Sequence, residues 1–89
     1  SEDGDQFLQL AISLQVADQA QVDMIKLYMP QVRSRLLLLL SSKKASEIST
    51  PEGKKKLADE ILVQTKQPFS KDATAPDVSN VFFTSFVIQ

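Results

Sequence analysis

The chain has 89 residues, enough for one domain, since a chain of this size buries only about 60 to 65% of its unfolded surface around a single core. Hydrophobic residues at 43% and charged residues at 24% exclude a wholly disordered tail, and a formal charge of −1 excludes a global attraction to nucleic acid or anionic membranes. Zero cysteines exclude a disulfide framework and a thiolate nucleophile, and the longest apolar run, Leu36 to Leu40, is far shorter than the about 20 residues a bilayer-spanning helix needs.

The opening residues Ser1-Glu2-Asp3-Gly4-Asp5 carry no signal-peptide pattern and read as a solvated lead-in over residues 1–6, the start of a fragment or mature form of something longer. A single domain is expected over residues 7–89. From Phe7 to Val16 the even positions Leu8, Leu10, Ile12, Leu14 and Val16 are apolar, while Gln9, Ser13 and Gln15 are polar and Ala11 is small. That period of two predicts a strand with one buried face.

Asp18 followed by Gln21 resembles a capping box and predicts a helix start. Val22, Ile25, Met29, Val32, Leu36 and Leu40 then recur at helical steps straight through Pro30. Because proline lacks a donor and clashes one turn back, the spacing predicts a kink or two nearly collinear helices meeting at Met29. The run of leucines puts apolar groups all round the second piece, which is expected to be the central, most enclosed helix, ending near Ser42.

Lys43 to Ser49 reads as a polar connection anchored by Ile48, with room for one helical turn. Thr50-Pro51 is a helix start, and Leu57, Ile61, Leu62 and Thr65 form the inward face of the helix it opens. Two prolines mark a loop from Gln67 to Asp77. Val78 to Ile88 reads as a long strand with two apolar faces, Val81, Phe83 and Val87 on one and Phe82, Phe86 and Ile88 on the other. The expected class is α+β: strand, kinked helix pair, helix, strand, with a small sheet packed by helices.

No catalytic constellation is visible. Histidine is absent, which removes the commonest general base and metal ligand, and only Gly4 and Gly53 are present, which excludes glycine-rich phosphate loops. Asp59 and Glu60 are adjacent on one helix, point about 100° apart and do not share a site. No cofactor, metal or catalytic residue is predicted.

Charge does segregate: residues 1–23 hold five acids and no bases, whereas residues 26–56 hold eight bases against two acids. Of those bases, Arg33, Arg35, Lys43, Lys44, Lys54, Lys55 and Lys56 are candidates for a docking patch, to which Phe82 and Phe86 are added as aromatic anchors. The plainer expectation pairs Lys55 with Asp59 and Lys56 with Glu60 at helical spacing, and keeps the phenylalanines in the core. Nucleic acid is not expected as a partner, because no aromatic residue interleaves with the basic ones.

The residues then suggest a family. Tyr28 to Leu40, with Met29-Pro30, Val32-Arg33 and the leucine run, resembles the flagellar basal-body-associated protein FliL. Leu40-Ser41-Ser42-Lys43, Thr50-Pro51-Glu52-Gly53-Lys54 and the ending Val81-Phe82-Phe83-Thr84-Ser85-Phe86-Val87-Ile88-Gln89 lie in the order of that family, and the match covers nearly all of Phe7 to Gln89. The loop 67–77 looks longer than the family's short turn, and only six residues precede the first strand where family members carry an extended segment.

The resemblance implies the periplasmic domain of a single-pass inner-membrane protein at the flagellar basal body, non-enzymatic and similar to the stomatin/prohibitin domain. It implies flagellar stator subunits and basal-body ring proteins as partners, a homo-oligomeric ring in the full-length protein, and a role in supporting torque and swimming or swarming motility. The alternative kept open is a stomatin-like membrane-surface scaffold or lipid-binding module that uses the basic middle third.

Overall fold

The computed structural model describes residues 6–89, so the expected lead-in lies outside the described residues up to position 5. Its elements run β1 (Leu8–Val16), α1 (Gln19–Leu27), α2 (Met29–Ser41), α3 (Ala45–Ile48), α4 (Pro51–Thr65) and β2 (Val78–Ile88). This is a small α+β fold whose two strands pair antiparallel, with helices against one face.

β1 behaves as its period of two requires: every even residue is half-buried and every odd one exposed. β2 does not alternate so simply. Leu10 faces Phe86 and Ile12 faces Phe83, so Thr84 is an extra residue; Gln15 faces Asn80 and Val16 faces Val78, so Ser79 is another. Each bulge advances the alternation by one. Val78, Val81, Phe83, Phe86 and Ile88 therefore all lie opposite the inward residues of β1. The expected grouping of Phe86 and Ile88 with Phe82 is corrected by these bulges, and Val87 leaves the Val81 and Phe83 side. Phe82 and Val87 project outward instead, 51% and 40% exposed.

Asp18 caps α1, its Oδ1 accepting from the Gln21 backbone N–H at 3.1 Å. The reciprocal half of the box is absent, because the Gln21 Oε1 accepts from the Asp77 N–H at 2.8 Å and ties the start of α1 to the start of β2. The helix breaks at Tyr28, one residue before the expected junction. Pro30 sits in the first turn of α2, where its missing donor is harmless, and the Gln31 and Val32 N–H groups both donate to the Tyr28 carbonyl. Thr50 caps α4 by accepting from Gly53 N–H at 2.9 Å, with Pro51 at the first helical position as expected.

The interior has two clusters. Ile25, Val32, Phe69 and Val78 form one; Ile48, Leu57 and Ile61 form the other, and Leu36 packs on both. The most enclosed helix is α4, not α2: Leu57 and Ile61 are 0% exposed and Thr65 is 3%, whereas Leu37 and Leu38 are 66% and 72% exposed. α4 lies directly on β2 and has α2 and α3 beside it, so it occupies the middle of the helix layer. α2 is at the margin of that layer and buries only one side.

Candidate functional site

Since α4 covers β2 and α2 stands at the margin, the inward face of β1 is roofed incompletely. An open groove of about 670 Å³ runs between β1 and the α1–α2 pair. Its floor includes Leu10, Ile12 and Leu14, its wall includes Val22, Leu36 and Leu37, and the cations Lys26 and Arg33 also line it. A second hollow of about 300 Å³ adjoins Phe7, Leu8, Ile48 and Ile88, and shares Leu40 with the first. Among the described residues β1 pairs with β2 alone, along one of its two edges.

The basic candidates do not act as one group. Arg35 is turned to the loop 67–77: Nη1 donates to the Gln67 carbonyl at 3.0 Å, Nη2 to the Pro68 carbonyl at 2.7 Å, and the guanidinium carbon lies 5.1 Å from the Phe69 ring centroid. Phe69 in turn stacks on Tyr28 with centroids 4.6 Å apart and planes 11° from parallel. The cation thus pins a loop over the break between α1 and α2. Lys43 Nζ bonds Glu60 Oε2 at 2.8 Å, partly buried, and so bridges the end of α2 to α4. Lys44 caps α3, its backbone N–H donating to the Glu47 carboxylate at 3.3 Å.

Lys54 and Phe86 are brought together. Nζ of Lys54 donates to the Ser49 carbonyl at 2.8 Å and sits 4.7 Å above the Phe86 ring, which packs edge-on against Phe83 at 5.2 Å. Phe86 is half-buried beneath the helices, while Phe82 is on the opposite face of the sheet, across from Ser13. Lys55 and Lys56 are exposed. Among the described residues neither forms the expected ion pair; for Lys56 the reason is that Glu60 is engaged by Lys43 instead. Of the candidates only Arg33 lines the larger groove, which is mainly the work of residues not singled out from the sequence. The available signal was the surplus of leucine: five in a row exceed what one helical face can bury.

A family model for the flagellar basal body-associated protein FliL matches residues 1–89. The chain belongs to the FliL family. It is 38% identical over 87 residues to the flagellar protein FliL of Escherichia coli K12, an alignment covering 98% of this chain and 56% of the relative. The Shigella flexneri FliL shows the same figures. The FliL of Aquifex aeolicus is 35% identical over 83 residues, covering 93% of this chain and 49% of the relative. The chain thus spans about half the length of the curated FliL proteins it matches. Among the described residues no helix is long and apolar enough to cross a membrane.

Proposed function

We propose that this chain is a non-enzymatic component of the bacterial flagellar motor, which associates with stator units at the basal body and stabilises them, supporting torque and swimming or swarming motility. The observation that carries this reading is the FliL family match along the whole chain, a family described as flagellar basal body-associated. The groove beside β1 adds a physical means, because an open apolar concavity flanked by cations suits docking rather than turnover.

In this reading the chain is the periplasmic domain, residues 7–89, of a single-pass inner-membrane protein, with a fold akin to the stomatin/prohibitin domain. It assembles as a homo-oligomer around stator and ring proteins. A lipid-surface role would draw on the basic middle third, but Arg35, Lys43 and Lys54 spend their donors within the chain. That leaves the protein-docking reading ahead.

Site-specific crosslinking in motile cells tests it, with a photoreactive residue placed at Leu37 or Arg33 on the groove. Adducts with stator subunits, weakened together with swarming when Leu37 is replaced by Glu at unchanged protein level, are the expected result. Full motility and no stator adduct from any groove position would overturn the proposal.

A further inference from the structure

The loop 67–77 lies along α1 and is attached near both of its ends. Phe69 stacks on Tyr28, the C-cap of α1, with ring centroids 4.6 Å apart. Eight positions later the Asp77 N–H donates to the Gln21 Oε1 at 2.8 Å, in the first turn of the same helix. Those two points are about 10 Å apart along the helix axis. The loop therefore runs back along α1 in the opposite chain direction. We infer that residues 67–77 are a strap fastened by Arg35, and that α1 and the strap open together about the break at Tyr28 while α4 and the sheet stay folded.

The fastening is on a different element from the one it holds. Arg35 belongs to α2, and its hydrogen bonds and ring contact go to Gln67, Pro68 and Phe69, so it acts on α1 through the loop. Backbone bonding does little to fix α1 against α2, because Pro30 supplies no N–H to carry the helical ladder across the junction. The strap supplies that restraint instead.

Neither part can leave alone without loss to the other. Phe69 is 7% exposed and shares a cluster with Ile25, the buried residue of α1, and with Val32 and Val78. Lifting the loop alone would uncover Ile25 and strip the partner from the Tyr28 ring. Swinging α1 alone would break the Gln21 bond to Asp77 and the same stack. Mutual dependence of this kind makes two segments one cooperative unit. Leu57, Ile61 and Ile48 form a separate cluster, which such an opening leaves intact. The strap also sets the position of Val22 and Lys26, which α1 contributes to the wall of the groove beside β1, so anything lying against that wall is coupled to Arg35. None of this rests on the flagellar reading.

Hydrogen exchange followed by mass spectrometry on the full-length protein tests it, in peptides covering 18–28, 67–77 and 51–65. Arg35→Ala should quicken exchange in 18–28 and 67–77 together, by about tenfold or more. Gln21→Ala removes the acceptor at the other end of the strap and is the milder variant should Arg35→Ala not fold; it should quicken the same two peptides by about threefold. Ile61→Val loosens the second cluster and should quicken 51–65 while leaving 18–28 at the parent rate, since α1 already exchanges through its own opening. Faster exchange in 67–77 alone would show a loop that frays by itself. An α1 peptide that responds to Ile61→Val as it does to Arg35→Ala would show that α1 opens only with the whole domain. Either result overturns the inference, as does an α1 peptide indifferent to both strap variants.

Discussion

Arg35 and Phe69 are joined across 34 positions of sequence, the guanidinium carbon 5.1 Å from the ring centroid, with both terminal nitrogens bonded to the carbonyls that lead into that phenylalanine. A planar fork is needed to reach two successive carbonyls and lie on a ring at once, and lysine cannot supply it. Arg35→Lys should therefore recover little of what Arg35→Ala loses. Both should lower stability by about 1 to 3 kcal/mol. Urea unfolding is the measurement, and limited proteolysis should show earlier cleavage within 67–77.

Leu57 and Leu38 make an instructive contrast, because both are helical leucines and only one is enclosed. Leu57→Ala should cost about 2 to 5 kcal/mol, whereas Leu38→Ala should stay within about half a kcal/mol. Leu36, half-buried but packed on both clusters, should fall between them. Equal losses at Leu57 and Leu38 in denaturant unfolding would contradict the placement of α4 at the centre.

That contrast also explains what was legible in the sequence. Local signals worked where the physics is local: the alternation of β1, the Asp18 and Thr50 caps, a helix break beside Pro30, Pro51 at a first helical position, and the anchoring of Ile48 all appear as expected. Reading the leucine run as the enclosed helix failed because apolarity states what a helix could bury, while enclosure depends on which helix lies on the sheet. The sides of β2 were misread because Ser79 and Thr84 bulge, and a bulge resets parity without any glycine to announce it. The Lys56–Glu60 pairing was overridden by Lys43, a residue 17 positions from Glu60 that only the tertiary fold brings near. The groove was invisible for the same reason, being a gap between two elements.

Gly53 lies in a close approach between α4 and α3. A Cβ there would run into the carbonyl oxygen of Glu47 at the end of α3, and a backbone atom cannot swing aside as a side-chain tip can. Helix propensity alone favours Gly53→Ala by up to about 1 kcal/mol. Steric conflict should dominate, because overpacking a close contact costs about 1 to 3 kcal/mol. Gly53→Ala is thus expected to lower the thermal midpoint, and a rise would show that α3 is free to shift.

Lys54, Lys55 and Lys56 are adjacent but should respond differently to charge reversal. Lys54 is half-buried, with a carbonyl and an aromatic ring as partners, whereas Lys55 and Lys56 are exposed and form no ion pair with Asp59 or Glu60 among the described residues. Lys54→Glu sets a carboxylate against a carbonyl oxygen and the negative face of Phe86, so it should destabilise the fold by about 1 to 2 kcal/mol. Lys55→Glu with Lys56→Glu puts acids near the start of α4, where the helix dipole favours them by a few tenths of a kcal/mol, roughly. Like charges four residues away at Glu52, Asp59 and Glu60 offset that gain, so the double variant should stay within about half a kcal/mol of the parent. If these two lysines serve an acidic partner, its association should nonetheless weaken at about 50 mM salt and converge with the parent as screening rises. Thermal unfolding separates the fold effects, and binding measured across a salt series separates the partner effect. Unchanged association at every salt concentration would make Lys55 and Lys56 a solvated face and nothing more.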